Sequence, residues 1–118
     1  MPITSGLKHL PTDRFVRIVH VSVDAEIEDD WNEWYDNVHV PDICNCPGYV
    51  AVRRFRIASK EEPEYLSIYE VADADAHATQ DVAKVAGWGP FEGRVRNVEP
   101  SKSYEEMSRY LTPSKLEQ

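Results

Sequence analysis

An α+β domain with the element order β-α-β-β-α-β is the fold class this sequence predicts, and three observations predict it. Residues 15–23 form a Val- and Ile-rich run that is apolar on both alternating faces. An acidic amphipathic helix follows it directly, and an alanine-rich helix separates the third strand from the last. The 118 residues suit a single domain over 1–118, with an N-terminal arm over 1–14 and a C-terminal tail over 108–118.

In the first strand, Phe15, Val19, Val21 and Val23 alternate against Val16 and Ile18, so both faces of the strand expect cover. Asp24 suits an N-cap, with Glu26 and Glu28 in the first turn. Ile27, Trp31, Trp34, Tyr35 and Val38 then make one apolar stripe opposite Asp29, Asp30, Glu33 and Asp36. Pro41 disfavours helical geometry at Val40, which places the helix end near His39. Pro47-Gly48 signals a turn. Beyond it, 49–57 reads as a strand with Tyr49, Ala51, Phe55 and Ile57 facing away from Val50, Val52, Arg54 and Arg56. A short polar connection over 59–63 leads to a third strand over 65–71, with Tyr65, Ser67, Tyr69 and Val71 on one side. Residues 74–86 read as a helix stopped by Gly87. The loop Trp88-Gly89-Pro90-Phe91 precedes a last strand that starts near Arg94 and ends before Met107.

This order is the ferredoxin-like arrangement. Both helices lie on one side of its antiparallel sheet, and the bare side carries apolar strand residues. A homodimer through the sheet faces is the simplest cover.

Composition narrows the function. Twenty-one acidic residues against 13 basic ones give a net charge of −8, which opposes a nucleic-acid partner. Seven carboxylates crowd between Asp24 and Asp36 with no Lys or Arg, as on a solvated helix face. No apolar run approaches the roughly 20 residues of a membrane helix, and the first 14 residues lack the apolar core of a secretory signal. A cytoplasmic protein is the expectation. Cys44 and Cys46 stand one residue apart, too close for an unstrained disulfide and too few for a structural zinc set. HExxH, H-x-x-x-H and glycine-rich phosphate motifs are absent, so neither a metal nor another cofactor is expected.

The run Trp34-Tyr35, His39, Pro41, Pro47-Gly48, Arg53-Arg54-Phe55, Pro63, Tyr65-Leu66 and Tyr69-Glu70 resembles the dimeric α/β-barrel superfamily, in its EthD-like branch. The resemblance implies a dimeric barrel and a small-molecule site. It also implies a setting in the degradation of aromatic or other foreign carbon compounds. The superfamily holds isomerases, cyclases, cofactor-free monooxygenases, haem-dependent enzymes and ligand modules, so the chemistry must be argued from residues.

His39 follows Tyr35 by four residues, so the two emerge together on the border of the apolar stripe. An imidazole there can carry a proton near pH 7, or it can simply cap the helix end as a cation. The EthD-like pattern places its histidine here too. His20 sits mid-strand among Val and Ile, either as a second proton carrier or as a core histidine bonded to a neighbour. His9 and His77 read as surface residues. Tyr65 and Tyr69 share a strand face from which a phenol can donate to a developing oxyanion, or merely pack. Arg54 and Arg56 share a face where a guanidinium can hold a substrate carboxylate, the alternative being ion pairs to the acidic helix or Glu70. Trp34, Trp88 and Phe91 complete an aromatic lining, with Trp34 read as core and Trp88 as a lid.

The preferred reading is a cofactor-independent acid/base enzyme, an isomerase, cyclase or lyase acting on a small aromatic-derived or hydrophobic metabolite. His39 serves as base, Tyr35 orients it, Tyr69 stabilises an oxyanion, and Arg54 anchors an acidic group. A cofactor-free monooxygenase and a non-catalytic ligand-binding or accessory protein are the alternatives.

Overall fold

The computed structural model describes residues 8–10, 14–58 and 61–113. The rest of the expected N-terminal arm, residues 59–60 of the polar connection and the end of the tail lie outside the described residues.

Among the described residues there are six strands: β1 (Lys8–His9), β2 (Phe15–Val23), β3 (Tyr49–Arg56), β4 (Glu64–Val71), β5 (Val95–Glu105) and β6 (Tyr110–Leu111). The four long ones form an antiparallel sheet in the order β3-β4-β2-β5, while β1 and β6 pair as a separate ribbon. With α1 (Glu28–Trp34), α2 (Val40–Cys44) and α3 (Gln80–Val85) between strands, the domain is α+β and ferredoxin-like, as the periodicity predicts.

The alternation in β4 is clean. Tyr65, Ser67, Tyr69 and Val71 are buried beneath the helices, and the residues between them face the other side. Register places Phe15, Arg17, Val19 and Val21 of β2 opposite Val71, Tyr69, Ser67 and Tyr65. Trp31, fully buried, lays its ring 5.0 Å from Tyr65 and seals α1 to the sheet.

Four expectations are corrected. The first helix does not end at His39. A π turn over Tyr35–His39 joins α1 to α2, and the Val40 N–H reaches back five residues to the Tyr35 carbonyl. The wider turn lets the chain stay helical through Pro41, which has no N–H to place. It also adds a residue to the register, so His39 and Ile43 turn inward while Val38 is 46% exposed.

The second correction concerns β3. A bulge between Tyr49 and Ala51 puts Tyr49, Val52, Arg54 and Arg56 opposite Val71, Tyr69, Ser67 and Tyr65 on the helix-covered face. Third, the segment predicted as one helix over 74–86 is a tight turn at Ala76–Ala78 followed by α3. Thr79 interrupts it with extended backbone, and its Oγ1 caps the helix by accepting the Val82 N–H at 3.3 Å. Gly87, at φ +95°, follows the helix as expected.

Finally, Asp24 precedes its helix but does not cap it. Its carboxylate holds Arg94 and, at 2.8 Å, Arg96, and these cations hold its pKa below the ordinary carboxylate range. Gly48 turns at φ +89°, where the Ala76 methyl would stand 3.1 Å from an added Cβ. No described helix is long and apolar enough to cross a membrane.

Candidate functional site

A cavity of about 290 Å³ opens between the helices and the sheet, near the lower end of the range for small-molecule sites. The π turn supplies Tyr35 and His39, α2 supplies Ile43, and β4 supplies Tyr69. Arg17 and Val19 come from β2, Tyr49 from β3, Asn97 and Ser101 from β5. His77, Val82 and Trp88 close the rest.

His39 is 6% exposed and is gripped by rings. The Trp34 indole stacks on it at 4.9 Å and 19°, and Tyr35 meets it edge-on at 4.9 Å. Burial lowers its proton affinity below the ordinary value of 6.5. The Arg54 charge adds to that, and Asp42 opposes it. The imidazole is therefore neutral at neutral pH, the form that can accept a proton. A cationic helix cap, the alternative drawn from sequence, requires the opposite state.

Tyr35 and Tyr69 share a buried hydroxyl–hydroxyl hydrogen bond. Desolvation raises both phenols above 10, so both remain protonated donors. Tyr49 packs edge-on to Tyr69 at 5.7 Å. Gly89, at φ +51°, lies so close to the Trp34 ring that an added Cβ would fall 2.9 Å from it, and this lets the Trp88 loop close over the site.

Of the residues singled out from sequence, the fold brings His39, Tyr35, Tyr69 and Trp88 together at the cavity. Trp34 stands one layer back as the stacking partner of His39, with Phe91 behind it at 5.7 Å.

Three expectations do not hold. His20 points to the helix-free face, beside Leu66, and bonds Glu64 at 2.8 Å, because even and odd positions of one strand cannot share a side. Arg54 does not reach the cavity. It binds Asp36 and Asn32, each at 2.8 Å, with its guanidinium 3.9 Å above the Tyr35 ring, which is the ion-pair alternative. Tyr65 is likewise engaged elsewhere, with Glu28 and with Asn32 at 2.8 Å.

Sequence reasoning passed over Arg17, Tyr49, His77, Asn97 and Ser101. Arg17 carried a signal, as a lone cation in the apolar alternation of Phe15, Val19 and Val21. His77, read as a surface residue, lines the cavity because the Ala76–Ala78 turn folds inward. Among the described residues no group of three His, Cys, Asp or Glu side chains is placed to hold a metal ion.

Comparison with known proteins agrees with the fold. HapK from Hahella chejuensis superposes with a TM-score of 0.62 at 18% identity, over 79% of this chain and 92% of its own. SnoaB, a cofactor-independent oxygenase from Streptomyces nogalater, gives 0.61 at 15% identity, over 80% and 94%. An EthD family protein from Bacillus halodurans gives 0.57 at 16% identity, over 79% and 99%. The ferredoxin-like fold that the resemblance implies is thus shared with these structures. No curated protein matches the chain. The family model described as "Domain of unknown function (DUF4286)" matches residues 15–84, more than half of the sequence, and the chain belongs to that family.

Proposed function

We propose that this DUF4286 member is an enzyme that removes a carbon-bound proton from a small molecule, with His39 as general base and no resident cofactor. The observation that carries the reading is a buried, neutral imidazole lining a cavity together with two phenols that cannot ionise at physiological pH. Neutral His39 takes a proton from carbon beside a carbonyl. The electron pair moves onto the carbonyl oxygen, and the Tyr35–Tyr69 pair donates to the enolate oxygen as its charge grows. Imidazolium then returns the proton at a different carbon for isomerisation or cyclisation. In a lyase step, the enolate instead expels a leaving group. Trp34 and Tyr35 fix the ring plane of His39, so the proton is exchanged from one orientation.

A second reading shares the first step. The same enolate or a phenolate passes electrons to dioxygen, and the likeness to SnoaB, itself described as a cofactor-independent oxygenase, favours it.

The assembly in this reading is a homodimer. Ile18 and Ile68 are register partners on the helix-free face, next to Val16, Leu66 and the exposed Phe55, and a second sheet covers them.

Deuterium exchange tests the proposal. Enolisable single-ring ketones and keto acids, phenylpyruvate among them, are incubated with protein in D₂O and followed by NMR, with oxygen uptake recorded in parallel. Catalysed exchange that falls about 10²–10⁴-fold in a folded His39→Gln protein is expected. Oxygen uptake alongside it selects the second reading. No probe exchanging faster with the wild type than with the variant overturns both, and leaves a ligand-binding role.

A further inference from the structure

The cavity contains a cation that the proton-transfer chemistry does not use. Arg17 lines it, half-buried, and among the described residues no carboxylate meets its guanidinium. Other arginines of this acidic chain do find partners: Arg54 holds Asp36, Arg56 holds Glu28, Arg94 and Arg96 hold Asp24, and Arg109 holds Glu70 and Glu106. Among the described residues Arg53 too has no ion pair, but it shares its groove with Glu70 and Glu106, whereas the cavity that Arg17 lines has no carboxylate.

Its position is fixed by neutral groups. One terminal nitrogen donates to Ser103 Oγ at 3.1 Å and the other approaches the Ser101 carbonyl at 3.5 Å. Ser103 in turn donates to the Ala74 carbonyl at 3.1 Å, tying the arginine to the turn that carries His77. These contacts orient the guanidinium without neutralising it and leave part of its five-donor fork open.

A second observation lies on the same lining. His77 Nδ1 is buried and has no hydrogen-bond partner. A buried polar atom left without a partner is costly, and a ligand atom in the cavity would supply one. Asn97 and Ser101 add polar groups to this side.

We infer that Arg17, with His77, forms an anion subsite and that the molecule taken by this cavity is a carboxylic acid of about single-ring size. The inference rests on the proposed small-molecule site and adds the substrate's chemical class. A carboxylate matches the planar fork of one guanidinium in charge and in shape. A phosphate monoester carries nearly twice that charge, and among the described residues Arg17 is the only Arg or Lys on the lining. The volume of about 290 Å³ sets the size.

Binding of simple probes to the full chain tests this, read by calorimetry and by tryptophan fluorescence. Benzoate, benzamide and phenyl phosphate share one ring and differ in the polar head. Benzoate should bind at least about tenfold more tightly than benzamide, and Arg17→Gln should bring it down to the benzamide level while leaving benzamide unchanged. His77→Ala should weaken benzoate by less. If Arg17→Gln does not fold, Arg17→Lys should still lose part of the preference, because it keeps the charge without the fork.

Benzoate binding no tighter than benzamide, no detectable benzoate binding, or full benzoate affinity in the Arg17 variant overturns the subsite. Phenyl phosphate outbinding benzoate tenfold overturns the carboxylate assignment. Benzoate has no enolisable proton, so its binding does not report on proton transfer by His39. Success or failure here is therefore separable from the fate of His39 as a base.

Discussion

Removing one hydroxyl from the Tyr35–Tyr69 pair should cost stability unequally. The two phenols are 1% and 4% exposed and bond each other, and the Ser67 hydroxyl, on a residue 3% exposed, also lies within reach of Tyr35. Tyr35→Phe takes the central partner away, so Tyr69 and Ser67 both lose a buried contact. Each unsatisfied buried group costs about 1–3 kcal/mol, and the side of Tyr69 that meets the cavity lowers its share, which puts the variant at about 2 kcal/mol. Tyr69→Phe leaves Tyr35 with Ser67 and should cost about 1 kcal/mol. The double variant removes both hydroxyls and should lose about what Tyr35→Phe alone loses, a coupling of about 1 kcal/mol. Urea denaturation at one fixed protein concentration measures all four proteins. Additive losses, or a Tyr69→Phe loss as large as that of Tyr35→Phe, would refute the idea that Tyr35 is the hub of this network.

Three further outcomes are expected. Because His39 gains its proton only below the ordinary 6.5, kcat/KM on any substrate found should be level at neutral pH and fall only at pH values below 6.5, and stability should follow the same group. The unfolded chain binds that proton first as pH drops, so wild-type stability declines from pH 7 through 6.5 and levels once the native imidazole is protonated. Urea titrations should show His39→Gln lacking that share of the decline. Thr79→Ala removes the side-chain cap of α3 and should lower stability by about 1 kcal/mol in the same denaturation assay. The protein should sediment near 27 kDa, twice the 13.5 kDa chain, and Ile68→Glu on the helix-free face should shift it to the monomer mass.

The parts of the fold legible in the sequence are those that repeat. β4 alternates strictly between buried and half-buried positions, and so its face assignment is correct from Tyr65 to Val71. β2 likewise announces itself, and with β4 it fixes the ferredoxin-like order. Single-residue insertions carry no such period. The bulge after Tyr49 leaves each half of β3 reading as ordinary strand, yet beyond it the other set of alternate residues, Val52, Arg54 and Arg56, faces the helices. His77 was missed for a related reason. The break at Thr79 converts an apparent helix into an inward turn, and nothing in the alanine-rich run marks which way that turn will face.

The π turn is where these effects converge on chemistry. Continued as α-helix, the stripe Ile27, Trp31, Trp34, Tyr35 would place Val38 inside and His39 at its wet border, where an imidazole is free to titrate near its ordinary value. One added residue rotates His39 under the Trp34 ring and sends Val38 to solvent. Arg54 reinforces the effect from β3. Its guanidinium, bound to Asp36 and Asn32 and lying over Tyr35, makes a second positive charge on His39 unfavourable. Arg54, expected to hold a substrate acid, is thus bound to Asp36 and Asn32 instead, and the cation that lines the cavity is Arg17. The two arginines are thus used differently: Arg54 is ion-paired to Asp36, Arg17 lines the cavity, and it is chiefly burial that keeps the imidazole neutral. In a −8 chain, the proposed anion subsite depends on a cavity lining that holds no carboxylate among its described residues to pair with Arg17.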